Sequence, residues 1–458
     1  MKLANACCLP VKYPYLASQS TVAAPALEGW HRHKLRAIAV ALAAASNVQA
    51  ADNSMHPTTP RSAAALTASA QIGNVEKTLD LVRDVYSGGY QTHLSPGPLS
   101  HWLQPFNEKR EAIEQQHGLS FGFQFAPIYN FGTHSSPDNK TANSAVDIAL
   151  RWDGAIERDG YKGSLDVFFY RRQDDLLATD TSAFNTARGT IMGAADSNVG
   201  GSLNSLSNLS WESLIFDGVL DVSLGQLFLP AMFDENDILG NDRLSFMAEP
   251  LANNPARVLP EADTGMGVGM WVTPSEHFYV GGIVAQANAD GKYPDFDAFD
   301  GDWAHMAEVG WTPHFASVGS GKYRLSYSTV DLSTEQKGAP GNSDGWNISI
   351  EQELGDSVVI AARAGSNDGN RNDIKRMVSS GIVFEHVFGY ELDMIGIGAF
   401  WAEPKAPARR DEYGTELFWR LQLTNSLQLT PGIQLWRPSD PARNNAEAVF
   451  NIRLMISI

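Results

Sequence analysis

Cysteine is almost absent from this sequence, and its absence limits the chemistry available. The 458 residues contain two cysteines, Cys7 and Cys8, both within the first ten positions. The rest of the chain therefore offers no thiol nucleophile, no disulfide and no cysteine ligand for a metal. Histidines are scattered singly, and neither a His-Glu-x-x-His nor a Gly-x-Ser-x-Gly pattern occurs. We predict no catalytic site, no metal site and no cofactor.

Long hydrophobic runs are also absent. The longest is Ala37–Ala45, whereas a membrane-spanning helix needs about 20 apolar residues. A basic stretch precedes this run and Val48-Gln49-Ala50 follows it, which is the order of zones in a secretory signal peptide. We expect cleavage after Ala50, with residues 1–30 lying upstream of the native start. A buried alanine-rich helix is the alternative, but it does not explain the order of the zones.

Basic residues are outnumbered by acidic ones. Lys and Arg total 34 against 52 Asp and Glu, which gives a net charge of −18. Residues 1–50 hold five basic residues and one acidic residue, so their removal leaves 29 basic against 51 acidic and a charge of −22. An acidic chain is a poor ligand for nucleic acid, because phosphates attract cationic surfaces. We predict no nucleic-acid partner.

The part of the chain before residue 118 does not have the pattern of a packed domain. Residues 51–74 are rich in Ala, Ser, Thr and Pro and predict a disordered leader. Helical spacing follows in residues 75–89 and in Trp102–Gly118, and glycine ends both segments. We assign residues 1–50 to an upstream extension and signal peptide. Residues 51–117 are predicted to be a flexible leader with short helices on the periplasmic side.

From Leu119 onward the hydrophobic period changes to two residues and stays there. Alternation predicts sixteen strands, most of them about ten residues long, which is the tilted length that crosses a bilayer. The predicted strands are 119–129, 144–155, 162–172, 206–216, 219–229, 264–272, 277–287, 303–313, 320–331, 344–354, 357–366, 377–387, 390–402, 412–422, 426–436 and 447–458. The last strand is expected to close a barrel against the first, with Arg453 facing inward.

The connections alternate in length. Links after even-numbered strands are tight, as at Asp217-Gly218 and Gly355-Asp356, whereas links after odd-numbered strands are long, as at 173–205 and 230–263. Short turns on one rim and long loops on the other are typical of an outer-membrane barrel. A soluble β-sandwich gives no reason for this alternation, and a propeller repeat of about 40 to 50 residues is not found. We predict an all-β fold, a transmembrane antiparallel β-barrel of about 16 strands over residues 118–458, with a short N-terminal helical segment.

The two faces of the predicted strands differ. One face is apolar, as in Leu417 and Leu421, and the other carries charges, as in Glu416 and Arg420. Unpaired buried charges cost several kcal/mol each, so many charges on the enclosed face indicate a water-filled interior. Sixteen strands leave an aqueous channel, whereas eight would be filled by side chains. The residues predicted to line the channel and contact the solute are Arg151, Asp166, Arg172, Glu212, Arg324, Glu351, Arg363, Glu385, Glu416, Arg420 and Arg453.

Two further features of such a barrel are expected. The long loops 173–205 and 230–263 are the candidates for folding inward to narrow the channel. Aromatic girdles are predicted from Trp and Tyr near strand ends: Trp152, Trp271, Tyr279, Trp303, Trp311, Trp401, Tyr413 and Trp436.

Several stretches resemble the carbohydrate-selective porins of the OprB family. The similarity is strongest over Tyr413–Ser439, with shorter similarities at His305–Pro313, Val222–Asp234 and Trp102–Gly118. Residues matching the family pattern in the first stretch are Glu416, Phe418, Trp419, Pro431, Gln434 and Pro438. The chain departs from that pattern at Gln226 and Arg437, where the family usually has arginine and asparagine. It ends on Ile458, whereas outer-membrane barrels generally end on phenylalanine. The resemblance implies passive uptake of mono- or oligosaccharides through a constricted pore.

We therefore predict a porin in the outer membrane of a Gram-negative bacterium, through which sugars and other small hydrophilic solutes diffuse. Its expected surroundings are the lipid bilayer, lipopolysaccharide and the barrel-assembly machinery, and a homotrimer is a common arrangement of such porins. The alternative is a general or cation-preferring porin, because the acidic balance favours cations. An outer-membrane hydrolase would need a Ser/His/Asp constellation at the rim, and an adhesin barrel would be closed to ions. We predict that the protein is not an enzyme.

Overall fold

One closed antiparallel sheet makes up most of the structure. The computed structural model describes residues 79, 90–94, 98–195, 202–240, 242–260, 262–296, 301–331, 342–369 and 372–458. Sixteen long strands occur in these residues, as the alternation predicted. They are β1 Leu119–Gly132, β2 Lys140–Arg158, β3 Tyr161–Gln173, β4 Ser202–Ile215, β5 Leu220–Phe228, β6 Thr264–Ser275, β7 Phe278–Gln286, β8 Trp303–Trp311, β9 Gly319–Asp331, β10 Ser343–Glu353, β11 Val358–Asp368, β12 Ile374–Glu385, β13 Met394–Pro404, β14 Glu412–Thr424, β15 Leu427–Arg437 and β16 Glu447–Ser457. A two-residue strand, His314–Phe315, pairs with the start of β9.

The barrel closes between its first and last strands. β1 pairs with β2 on one edge and with β16 on the other. At the end of the chain, the backbones of Phe123 and Ile458 exchange two hydrogen bonds of 2.9 Å. The prediction that the final alternating segment completes the barrel is therefore confirmed. Closure leaves the described strands without the unpaired edge that an open sheet exposes.

Short and long connections between strands lie at opposite ends of the barrel. Those after even-numbered strands have two to eight residues, whereas those after odd-numbered strands have five to 35. We call the two ends of the barrel the short-turn rim and the long-loop rim. This asymmetry confirms the predicted alternation, because consecutive antiparallel strands place successive connections at opposite ends.

A helix on the short-turn rim leads into the barrel. This helix, α1, spans Pro98–His117 and confirms the helix predicted over Trp102–Gly118. It ends where Gly118 takes a left-handed conformation (φ +65°) and donates its N–H to the carbonyl of Glu114 at 2.8 Å. Within the described residues, no helix is both long and apolar enough to span a membrane.

Little of the chain before α1 belongs to the described residues. Backbone hydrogen bonds connect Tyr90–Leu94 to the end of β14, since the N–H of Leu94 donates to the carbonyl of Leu423 at 2.7 Å. Of the helix predicted over 75–89, Leu79 is described, and it packs against Phe168 and Tyr170 on the inner face. The rest of residues 1–89 lies outside the described residues, so their division into signal, leader and helices stays a prediction.

The outer face of the barrel is apolar. In β14, Leu417 is 43% exposed and faces outward, while its neighbour Glu416 is 1% exposed and faces inward. The same alternation repeats around the wall, with Leu325, Ile348 and Ile397 among the outward residues. Outward apolar and inward polar residues are the reverse of a soluble barrel, and they match a wall that contacts acyl chains.

The inside of the barrel holds packed side chains as well as charges. Trp271, Tyr279 and Trp436, which were predicted for the aromatic girdles, are no more than 1% exposed and lie inside. That part of the prediction is wrong, because a position near a strand end does not determine which face the side chain occupies. Trp311 and Tyr413, in contrast, are 47% and 40% exposed on the outside.

Inward aromatic rings lie over glycines of a neighbouring strand. Tyr279 is directly paired with Gly310, Phe418 with Gly396 and Phe400 with Gly414. A Cβ atom at Gly310 would lie 2.1 Å from the Tyr279 ring, and one at Gly396 would lie 2.2 Å from the Phe418 ring. These positions need glycine because the facing ring occupies the space of a side chain.

Gly310→Ala is expected to destabilise the barrel by about 1–3 kcal/mol, because the overpacked Tyr279 ring must move. That movement also disturbs the 2.7 Å hydrogen bond from the Tyr279 hydroxyl to Glu308. Urea unfolding of the refolded protein measures the change. Gly432→Ala is the matched control, since its nearest neighbour is the flexible end of Met247. Equal midpoints for the two variants would contradict the packing argument.

Candidate functional site

Two long loops fold from the long-loop rim into the barrel. The constriction loop (residues 229–263) joins β5 to β6 and contains the one-turn helix α3, Glu249–Ala252. The companion loop (residues 174–201) joins β3 to β4 and contains the helix α2, Thr181–Arg188. Both contact inward-facing residues of β14. The sequence made loops 173–205 and 230–263 the candidates for folding inward, and the described residues of both loops lie against the inner face of the barrel.

The constriction loop packs against the wall through apolar residues. Phe246 meets Phe418 of β14 edge to face, with ring centroids 4.9 Å apart. Leu239, Met247 and Leu251 are buried in the same cluster. This packing fixes the loop against one side of the barrel interior, so the remaining space is smaller than the bare barrel would leave.

Charged residues of the wall hold the backbone of the same loop. Carboxylates accept from loop N–H groups, and arginines donate to loop carbonyls. Glu308, for example, accepts from the N–H of Asp234 at 2.8 Å. Arg453 donates to the carbonyls of Asp242 at 2.6 Å and Ser245 at 3.1 Å. Because a buried loop has unpaired backbone groups, these wall charges replace the water that it would otherwise need.

The eleven residues predicted to line the channel all occupy inward positions of the strands. Eight of them are buried, with exposures of 6% or less: Arg151, Asp166, Glu212, Arg324, Glu351, Arg363, Glu416 and Arg453. Arg172, Glu385 and Arg420 keep partial exposure. Six of the eleven bind backbone of the constriction loop: Arg324, Glu351, Arg363, Glu416, Arg420 and Arg453. A contact of any of these residues with solute stays a prediction.

Three of the predicted residues form a cluster on the wall. Arg151 of β2 donates to Asp166 of β3 at 3.0 Å and also binds Glu212 of β4. The same guanidinium lies 3.7 Å from Asp153. One arginine thus connects three adjacent strands. Arg151 and Asp166 are directly paired across β2 and β3, which brings their side chains together. We expect this cluster to stabilise the wall.

Two groups of paired charges lie beside the constriction loop. The first is partly exposed to water, whereas the second is almost buried, with side-chain exposures of 5% for Asp147, 7% for Arg243 and 14% for Arg172. Lys322 of β9 binds Asp237 of the loop, and their side chains are 29% and 43% exposed. Asp147 of β2 accepts from Arg172 at 2.5 Å and from Arg243 of the loop at 2.9 Å. In both groups a carboxylate is paired with cations, so donors and acceptors of hydrogen bonds lie next to each other.

Several of these residues were missed by the sequence analysis. Lys322 is two residues from Arg324, and Asp147 is four residues from Arg151, so each pair faces the same side of its strand. Alternation could therefore have added Lys322 and Asp147 to the predicted set. Asp237 and Arg243 lie in a loop, where no periodicity indicates direction. Their positions depend on how the loop crosses the barrel, which a local pattern cannot give.

The companion loop carries a buried cation. The Arg188 guanidinium carbon lies 4.6 Å from the centroid of the Trp436 ring and 5.2 Å from that of Phe184. Burial lowers the pKa of Arg188 to about 10, against the raising effect of Glu412 and Glu447. The group stays charged at neutral pH, and its contacts fix α2 against the wall. Among the described residues, no group of three or more His, Cys, Asp or Glu is placed to hold a metal ion.

Known proteins resemble this chain in sequence and in fold. Porin AaxA of Chlamydia abortus (strain DSM 27085 / S26/3) is 23% identical over 264 residues, which span 56% of this chain and 57% of that protein. The high-pH structure of Pseudomonas putida OprB superimposes with a TM-score of 0.63 at 15% identity and covers 81% of this chain and 99% of its own. The family described as carbohydrate-selective porin, OprB family, matches residues 175–458. Since that match covers more than half of the sequence, the chain belongs to the OprB family of carbohydrate-selective porins.

Proposed function

We propose that the protein is a passive, sugar-preferring channel for small hydrophilic solutes. The observation that carries the proposal is the water-accessible pair of opposite charges beside the constriction loop, Asp237 with Lys322. A second, nearly buried group, Asp147 with Arg172 and Arg243, has the same arrangement of a carboxylate between cations. Sugars are neutral and rich in hydroxyl groups that both donate and accept hydrogen bonds. Paired charges offer both partners at once, and charge-assisted hydrogen bonds are the stronger ones.

Membership of the family and the apolar outer wall support a place in the outer membrane of a Gram-negative bacterium. In that orientation the short-turn rim faces the periplasm and the long-loop rim faces outward. Lipopolysaccharide, the barrel-assembly machinery and partner copies in a trimer stay predictions. Because solute passes by diffusion, the proposal includes no catalytic step.

Single-channel recording tests the proposal. The purified protein in planar bilayers should give stepwise conductance that falls as glucose or a short oligosaccharide is added, because bound sugar obstructs the ions. Reversal potentials under a salt gradient distinguish the alternative, a cation-preferring porin for other solutes, which the acidic composition favours. Conductance that does not change across a panel of sugars would reject the sugar preference.

Asp237→Asn is expected to weaken sugar block about tenfold or more, the equivalent of roughly one charge-assisted hydrogen bond. It also removes the nearer of two carboxylates beside Lys322, the other being Glu351 at 3.6 Å, so the reversal potential should shift towards anion preference. Planar-bilayer recordings give both values. The double change Asp237→Asn with Lys322→Met is the control, since it should restore ion preference without restoring sugar affinity. Wild-type values for the single variant would exclude this pair from the solute path.

A further inference from the structure

We propose that three glutamates of the wall, Glu351, Glu412 and Glu416, are positioning residues that set the width of the channel. Each holds an inward loop by two consecutive backbone N–H groups. The inference deepens the proposed function, because it concerns how the same constriction is built, but it does not depend on which solute passes.

Glu416 of β14 holds the far side of the constriction loop. Its two carboxylate oxygens accept separately from the N–H groups of Met247, at 2.9 Å, and Ala248, at 2.8 Å. The side chain is 1% exposed, so water does not compete for these bonds. The adjacent Phe246 ring is seated against Phe418, and the glutamate therefore anchors the segment where the loop is also packed.

Glu351 of β10 holds the near side of the same loop in the same way. One of its oxygens accepts from the N–H groups of Asp237, at 2.8 Å, and Ile238, at 3.2 Å. The side chain of Asp237, which forms the accessible pair with Lys322, extends from this anchored backbone. The position of that pair in the channel is thus determined by Glu351.

Glu412, at the start of β14, holds the companion loop. Its oxygens accept from the N–H groups of Ile191 at 3.1 Å and Met192 at 3.3 Å. The next residue, Gly193, is joined to the constriction loop, since its N–H binds the Glu249 carboxylate and its carbonyl accepts from the Glu249 N–H at 3.0 Å. The three anchors and this link make the two loops one assembly.

A carboxylate suits this role for a physical reason. Consecutive N–H groups that point the same way form a concave site with a preference for anions. A carboxylate has two oxygens and no donor, so both N–H groups are satisfied by charge-assisted bonds. Glutamine keeps the length and the volume but presents one oxygen and an NH₂ group, so at Glu412 and Glu416 the NH₂ group would face a loop N–H. At Glu351, where one oxygen accepts both bonds, glutamine can keep the two bonds but removes their charge assistance.

Glu→Gln changes at the three positions test the proposal. A buried N–H left unpaired favours release of the loop, so the fraction of time in a higher-conductance state should rise about tenfold or more for Glu416→Gln. The rise should be smaller for Glu351→Gln, because one glutamine oxygen can still accept from both N–H groups. Trypsin cleavage after Arg243 should accelerate by a similar factor. Glu412→Gln should affect the companion loop, with a smaller change in conductance. Glu403→Gln is the matched control, because Glu403 pairs with Lys375 at the long-loop rim.

The outcomes separate this inference from the proposed function. Barrel folding is checked by the shift of the unheated band on a gel, and a variant that fails to fold is replaced by the other two, which rest on separate contacts. If the folded variants keep wild-type conductance states and cleavage rates, the positioning role is rejected. If they change both while sugars leave the wild-type current unaltered, the positioning role stands and the sugar preference is rejected.

Discussion

Leu417→Arg is expected to destabilise the barrel by about 2–4 kcal/mol. Leu417 lies near the middle of β14, faces outward and is 43% exposed. At that depth an arginine side chain meets hydrocarbon, and the polar headgroups that could hydrate it are farthest away. Urea unfolding in lipid vesicles measures the loss, and a reduced yield of folded barrel is expected with it.

Phe384→Arg is the matched control for this change. Phe384 is the penultimate residue of β12, faces outward like Leu417 and is 40% exposed. At the short-turn rim its guanidinium can reach the interface, so the expected cost is about 0–1 kcal/mol. A pair of variants with equal stability would contradict the assignment of the outer wall to a lipid environment.

Replacement of residues 235–256 by a short Gly/Ser linker is expected to raise single-channel conductance severalfold and to abolish sugar block. The change removes Asp237 and Arg243 together with the backbone that narrows the channel. The barrel should still fold. Wall charges that the loop covers in the full chain, such as Glu416 and Arg453, would be hydrated in the variant and would not be left buried without a partner. Planar-bilayer recording and heat-dependent gel mobility measure the two effects.

A conductance equal to that of the full chain would show that the loop does not limit flow. Loss of folding would show instead that the loop stabilises the barrel, through clusters such as the one around Phe246 and Phe418. The loop-shortened variant also distinguishes the contribution of wall residues to sugar binding from that of loop residues, since Arg172 and Lys322 of the wall remain in place. Residual block would therefore assign solute contact to the wall.

The candidate site was only partly predictable. Alternation placed Glu351, Glu416 and Arg453 on the inner face, because the face of a strand residue follows from counting. It did not predict that they hold loop backbone, since their partners lie more than 100 residues away in the chain. Trp271 and Trp436 were assigned to the wrong face because the prediction used their closeness to a strand end. It did not use their odd or even position along the strand.

What the sequence determined by itself is the barrel. A hydrophobic period of two residues in sixteen segments specifies the strands and their two faces, because side-chain direction in a strand is a local property. The alternating lengths of the connections specify the two rims. What only the tertiary structure decided is the interior. Residues 229–263 have no periodicity, and their path depends on which wall carboxylates and arginines satisfy their backbone groups once water is excluded. Those pairings exist only when the closed wall brings distant strands around the loop.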